Sequence, residues 1–239
     1  MNICMAHRGW SGKAPENTLA AIRRALSEPG ITAMEIDVQL SRDGVPVLIH
    51  DFTLERTTTG SGLVMDHTLE ELRALDAGSW FGEEFSNERI PTLEEALLAV
   101  KGRLTLNIEL KATSDMYPGI AEKVLELLEK HDMKQEVYIT SFDHDLIRQV
   151  RQLDQEVVTG LIVLGRPVLM LEQMEEAGAT ILSMGYPYLT RELALAAMEK
   201  GYKVIAWTLD DPRDIRTVMS WHADMQICTN HPDRMLGLM

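Results

Sequence analysis

The chain has 239 residues, 45% hydrophobic and 25% charged, a balance that fits one globular domain with a sizeable core. A formal net charge of −14 argues against a nucleic-acid partner, because phosphate backbones select basic surfaces, so any anionic ligand must be met by local cations. No apolar run approaches the roughly 18 residues of a membrane span, and no basic-then-apolar leader opens the sequence. The expectation is a cytoplasmic protein without stable membrane association. Two cysteines, Cys4 and Cys228, give neither a disulfide framework nor metal-site spacing and read as small core residues.

Strand-like apolar runs recur at 3–6, 33–40, 104–110, 136–140, 157–163, 180–184, 203–208 and 225–229. Helix-like patterns lie between them at 18–26, 93–100, 120–131, 145–153, 168–176, 191–200 and 212–221. Thr92 with Glu95, and Asp211 before Pro212, are helix-start signals. Strands alternating with helices predict a parallel α/β sheet, closed at this length into a (β/α)8 TIM barrel. A doubly wound open sheet is weakened by the lack of a GxGxxG loop after the first strand.

One interval breaks the rhythm. Residues 51–91 run through Thr57, Thr58, Thr59, Gly60, Ser61 and Gly62, then a capping-box start at Thr68 and Glu71, then Trp80, Phe81 and Phe85. That is too long for a simple strand-to-helix connection. It predicts a small cap inserted after strand two into a single domain spanning 1–239, with the three aromatics as the cap's own core.

In a barrel of this kind, function sits where strands end. The first strand ends in His7-Arg8-Gly9. The second carries Glu35-Ile36-Asp37-Val38-Gln39 and is read as continuing in extended form to His50-Asp51. The third ends in Asn107-Ile108-Glu109-Leu110-Lys111, and the seventh at Trp207-Thr208. Period-two alternation points Glu35 and Asp37 the same way, and likewise Glu109 and Lys111, either into the barrel or out against its helices. Three acids on neighbouring strands are costly without a partner, so they suggest a divalent cation. All-oxygen ligation favours magnesium or calcium. A buried salt-bridge network with Arg8 and Lys111 is the competing reading. His7 and His50 flank the acids, where two imidazoles could supply acid and base. Arg8 and Lys111 could receive phosphate oxygens. Asn17 or Thr18 reads as the cap of the first helix, with Glu16 beside it, and Trp207 would face the mouth.

These residues stand in ordered motifs: His7-Arg8-Gly9, Ala14-Pro15-Glu16-Asn17-Thr18, Glu35-Ile36-Asp37-Val38, His50-Asp51, Arg56-Thr57-Thr58 with Gly60 and Gly62, Ile90-Pro91-Thr92-Leu93, and Ile108-Glu109-Leu110-Lys111. Together with Trp207-Thr208 and Thr229-Asn230-His231-Pro232, they resemble the glycerophosphodiester phosphodiesterase family over almost the whole chain. The resemblance implies a barrel with a cap after strand two, and a calcium or magnesium ion on Glu35, Asp37 and Glu109. It also implies His7 and His50 as the acid/base pair, with a small glycerophosphodiester cleaved to an alcohol and glycerol 3-phosphate. A phospholipase or lyase acting on intact lipid, and a non-catalytic binding protein, are the rival readings; the latter would be expected to lack a ligand or a histidine, and none is missing. One departure stands out. The family commonly has Thr-Asp-x-Pro near its end, where this chain has Asn230.

Overall fold

The computed structural model describes residues 2–112 and 115–239. The barrel strands are β1 (Ile3–Ala6), β2 (Ala33–Leu40), β4 (Thr105–Leu110), β5 (Val137–Ser141), β6 (Val158–Val163), β7 (Ile181–Gly185), β8 (Lys203–Trp207) and β9 (Gln226–Thr229). Each pairs in parallel with the next, and β1 pairs with β2 to close the ring, so the fold is a TIM barrel. Around it stand α1 (Leu19–Leu26), α3 (Leu93–Val100), α4 (Ile120–Lys130), α5 (His144–Leu153), α6 (Met170–Ala177), α7 (Arg191–Glu199) and α8 (Pro212–Met219). A short α2 (Leu69–Arg73) and a closing α9 (Pro232–Leu236) complete the helices described. At five residues each, these two are too brief to show a helical period in sequence.

The alternation of side chains along each strand sorts the core into two layers. Met34, Ile36, Val38 and Leu40 of β2, and Leu106, Ile108 and Leu110 of β4, join the main cluster beneath the helices. Ala33, Met5, Tyr138, Ile181, Ile205 and Cys228 form a smaller cluster inside the ring. Burying one such Leu or Ile fully contributes about 1.5–3 kcal/mol, and that drives the apolar phase of each strand outward against the helices. The opposite phase, Glu35, Asp37, Asn107 and Glu109, is thereby turned into the barrel. Thr68 and Thr92 close capping boxes with Glu71 and Glu95, and Asp211 caps α8 ahead of Pro212.

Strand two does not run on to His50. The chain turns back at residues 41–45 and returns as β3 (Pro46–Leu48), antiparallel to β2, with Val38 opposite Leu48. Gly44 takes φ +78° in that turn, while the Ser41 hydroxyl donates to Asp43 and accepts from the Val45 amide. The Ile49 amide then donates to the Asp37 carbonyl at 3.2 Å, and the Gln39 amide nitrogen lies 2.8–3.1 Å from the carbonyl oxygens of Ile49, His50 and Asp51. This return brings His50 beside the acids; a straight extension would carry it away.

Residues 51–91 wrap a small aliphatic cluster of Leu54, Val64, Leu72, Ala77 and Ile90 on Val47 and Ile49. The three aromatics are not its core. Trp80 and Phe81 are 42% and 37% exposed, stacked edge to face, and Phe81 meets Phe85 in the same way at 5.6 Å. The aliphatic side chains fill the small interior, and the Trp80 indole N–H turns back to the Ala77 carbonyl at the surface. Among the described residues no helix is long and apolar enough to cross a membrane.

Candidate active site

The first strand ends in a sharp departure from the sheet. His7 still donates its backbone N–H to Thr229, but Arg8 and Gly9 swing to φ +54° and +76°. A side chain at Gly9 would sit 2.7 Å from Ala21, so only glycine lets α1 close over this turn. The turn aims the Arg8 backbone N–H at Glu35 Oε2, 3.0 Å away. Asn17 is also left-handed, at φ +56°. Such positions cost about 1–3 kcal/mol each and persist only where neighbours hold them.

Register, more than sequence spacing, assembles the acids. Asp37 and Glu109 are direct partners across β2 and β4, with Glu35 two residues earlier on the same face. Carboxylate oxygens of the three lie within 4.8 Å of one another. Glu35 Oε1 is buried without a hydrogen-bond partner among the described residues, and Glu109 Oε1 lies 3.1 Å from Lys111 Nζ. Burial, with the Asp37 and Glu109 charges, pushes Glu35 well above the usual carboxylate range; burial and Asp37 push Glu109 up to about 7. An orphaned buried oxygen in a mutually repelling all-oxygen cluster fits a hard divalent cation. His7, Glu35 and Cys228 form a second potential ligand group, but burial and Glu35 push the Cys228 thiol well above its ordinary value. A neutral thiol is a poor ligand.

Hydrogen-bond logic fixes both imidazoles. Lys111 can only donate, so at 3.1 Å it meets the Nε2 lone pair of His50, and Nδ1–H of His50 donates to Asp51 Oδ1 at 2.6 Å. For His7, Nδ1 lies 2.7 Å from Asn230 Oδ1. The Asn230 Nδ2 donates to Asp210 at 2.7 Å and Ser11 donates to the same Oδ1, so this oxygen is an acceptor and His7 carries its proton on Nδ1. Its Nε2 lone pair is left toward the cavity, 3.8 Å from Glu35 Oε2. Burial and the Arg8 charge lower the His7 pKa to about 4; burial lowers that of His50 as well.

His7, Arg8, Glu35, His50, Glu109 and Lys111 line one cavity of about 270 Å³ at the ends of the strands. Asp37 sits behind them, held by Arg8 Nε at 3.2 Å. Trp207 walls the same cavity, edge to face with Phe142, and its indole nitrogen is buried without a hydrogen-bond partner among the described residues. Every candidate residue read from the sequence is therefore in or against this cavity.

Sequence reasoning missed the residues that hold these in place. Thr18 caps α1, but Asn17 does something else: its Nδ2 donates to Asp37 Oδ2 at 2.8 Å, and its Oδ1 accepts the Asp37 backbone N–H at 3.1 Å. Glu16 accepts from Arg8 Nη1 at 2.7 Å and from Arg56. Asp51, Arg56, Asp210 and Gln39 likewise act at one remove. Glu16, Asn17, Gln39, Asp51 and Arg56 stood in the sequence only as motif or strand neighbours of the acids and histidines, and Asp210 carried no signal.

Fold and polar mouth together define a (β/α)8-barrel enzyme. The chain matches the Glycerophosphoryl diester phosphodiesterase family over residues 7–234, and belongs to that family. It is similar to the glycerophosphodiester phosphodiesterase of Caldanaerobacter subterraneus subsp. tengcongensis, 39% identical over 241 residues, 99% of this chain and 97% of the relative. Among solved structures, an Oleispira antarctica phosphodiesterase in complex with the product sn-glycerol-3-phosphate is 34% identical, with TM-score 0.92 over 99% of this chain and 96% of its own. The glycerophosphodiester phosphodiesterase of Agrobacterium tumefaciens is 29% identical, with TM-score 0.85 over 99% of this chain and all of its own. The chain is accordingly an enzyme of the phosphoric diester hydrolase class.

Proposed function

We propose that this enzyme hydrolyses small glycerophosphodiesters to an alcohol and sn-glycerol 3-phosphate, using a divalent cation on Glu35, Asp37 and Glu109 and an acid/base pair formed by His7 and His50. The carrying observation is that the orphaned oxygen of Glu35 and the open Nε2 of His7 face one cavity. When bound, calcium or magnesium supplies positive charge for a phosphate oxygen as negative charge develops. The bound product of the similar Oleispira enzyme supports the substrate class.

Within that reading, His7 is the base. Its Nε2 takes a proton from the attacking water as the new O–P bond forms, and its low pKa keeps it unprotonated at neutral pH. The acid side is His50, which, held at Nδ1 by Asp51 and protonated at Nε2, delivers that Nε2 proton to the departing alcohol oxygen as the old P–O bond breaks. Arg8 keeps Nη1 and Nε on Glu16 and Asp37, leaving Nη2 for a phosphate oxygen. Lys111 offers the phosphate a second positive charge, and the Trp207 ring walls the cavity as a face for the substrate. Residues 51–91 are read as a cap on the single domain, contributing Asp51 and Arg56 behind His50. A cavity of about 270 Å³ accommodates a glycerol arm, and an adjoining cavity that shares Glu109, Lys111 and Phe142 leaves room for the alcohol side.

Incubation with glycerophosphocholine and calcium or magnesium, with products resolved by phosphorus NMR, tests the reading. Glycerol 3-phosphate is the expected product. Phosphocholine would assign the other P–O bond, and equal turnover of diacyl phosphatidylcholine would move the activity to intact lipids.

A further inference from the structure

Arg56 does not line the reaction cavity and is 43% exposed, yet its guanidinium makes two bidentate pairs. Nε and Nη2 donate to the two oxygens of Asp51 at 2.6 and 2.9 Å. Nη1 and Nη2 donate to the two oxygens of Glu16 at 3.0 and 2.8 Å. Each partner reaches the cavity through one further bond. Asp51 Oδ1 accepts from His50 Nδ1 at 2.6 Å, and Glu16 Oε1 accepts from Arg8 Nη1 at 2.7 Å. A single planar fork therefore joins the segment after β3 to the turn after β1, and stands between a reaction histidine and a phosphate-facing arginine.

We propose that Arg56 is a positioning residue for the phosphodiester cleavage: it orients His50 through Asp51 and Arg8 through Glu16 at once. The inference rests on the reaction proposed above. Removing the guanidinium leaves Asp51 and Glu16 as two carboxylates facing one another. Asp51 is then free to rotate off His50 Nδ1, and Glu16 is free to pull Arg8 away from the cavity. Lysine keeps the charge but has no fork, so it cannot hold four oxygens in one plane. A merely structural ion pair at this exposure would add little stability and leave chemistry untouched.

The test compares wild type with Arg56→Ala, Arg56→Lys, Asp51→Asn and the Arg56→Ala/Asp51→Asn double variant. Glycerol 3-phosphate release is measured in saturating calcium, with thermal unfolding alongside. Arg56→Ala is expected to lower kcat about 10–100-fold, the usual range for a group that orients an active residue, with a smaller change in KM. Arg56→Lys should stay clearly below wild type, and free guanidinium ion should restore part of the Arg56→Ala rate. The double variant should be no worse than the poorer single variant. In proton NMR, the hydrogen-bonded Nδ1–H resonance of His50, visible in wild type, should be lost in Arg56→Ala. An Arg56→Ala variant with unchanged kcat and an intact His50 resonance overturns the positioning role, whatever its stability; so does a loss of rate that Arg56→Lys fully repairs. A wild type that releases no glycerol 3-phosphate overturns the reaction itself, and the His50 resonance then still decides whether Arg56 orients that ring.

Discussion

His7 donates its Nδ1 proton to the side-chain oxygen of Asn230 at 2.7 Å, so a neutral amide holds this face of the ring. The acid lies one step further off, at Asp210, which accepts from both the side chain and the backbone of Asn230. His7 is thus held in one tautomer without a carboxylate on its Nδ1 side.

Asn230→Asp tests this arrangement. Burial and Arg8 hold His7 at about 4, and a carboxylate at Nδ1 favours the imidazolium, so its pKa rises. A base with a raised pKa stays protonated to higher pH. The acid limb of the kcat/KM profile should move upward in Asn230→Asp, with the rate near neutrality falling if the shift is large. An unmoved acid limb would assign that limb to a group other than His7.

Asn17 grips Asp37 at both ends of its amide while standing at φ +56°. Asn17→Gly keeps the backbone at ease and removes only the grip, whereas Asn17→Ala adds strain. Both should weaken cation binding and lower kcat, and Asn17→Ala should be the less stable of the two. Loss of the buried hydrogen bonds costs about 1–3 kcal/mol before strain is counted. Calorimetric cation binding and thermal unfolding of the pair check this; unchanged affinity in both would show that Asp37 needs no external hold.

His7→Ala and His50→Ala should each fold and lose about 10²–10⁴-fold in kcat, the range for one positioned proton-transfer group. Because groups that act as a unit are non-additive, the double variant should be scarcely slower than the slower single one. Steady-state rates with circular dichroism as the folding control decide it. Lost stability with retained specific activity would mean that the two imidazoles only pack.

Cation binding should strengthen with pH. In the cation-free protein burial and Asp37 raise Glu109 to about 7 from an ordinary 4.5, so its proton favours the folded state. That contribution is fully present below 4.5 and is lost as pH rises through about 7. The cation-free enzyme should therefore lose stability across this window, and added calcium should raise Tm more at pH 7.5 than at pH 5 (~ values bracketing the window). Equal Tm increments at both pH values would remove Glu109 from the ligand set.

Much of this architecture was legible in the sequence because it rests on period and type. Apolar alternation marked the barrel strands, and the acids that interrupt it had to face inward once the apolar phase was claimed by the helices. Reading β2 as running on to His50 failed for a local reason: the turn at Ser41 to Gly44 reverses the chain, and a turn's direction is not written in hydrophobic period. The same limit hid the support around the site. Asn17 looks like a helix start until its left-handed backbone aims it at Asp37, and Glu16 and Arg56 meet across 40 positions of sequence. The aromatics at 80–85 misled by composition, since aliphatic side chains had already filled the interior they would have occupied.

The cation is the centre of the account, and one titration addresses it most directly. Enzyme stripped by excess chelator is assayed for glycerol 3-phosphate release from glycerophosphocholine, then titrated with calcium or magnesium, alongside Asp37→Asn. The expected result is no turnover in chelator, full recovery on titration, and a weaker half-saturation with a lower plateau in Asp37→Asn. Full activity in excess chelator, or an Asp37→Asn titration that overlays wild type, would contradict the assignment of Glu35, Asp37 and Glu109 as cation ligands.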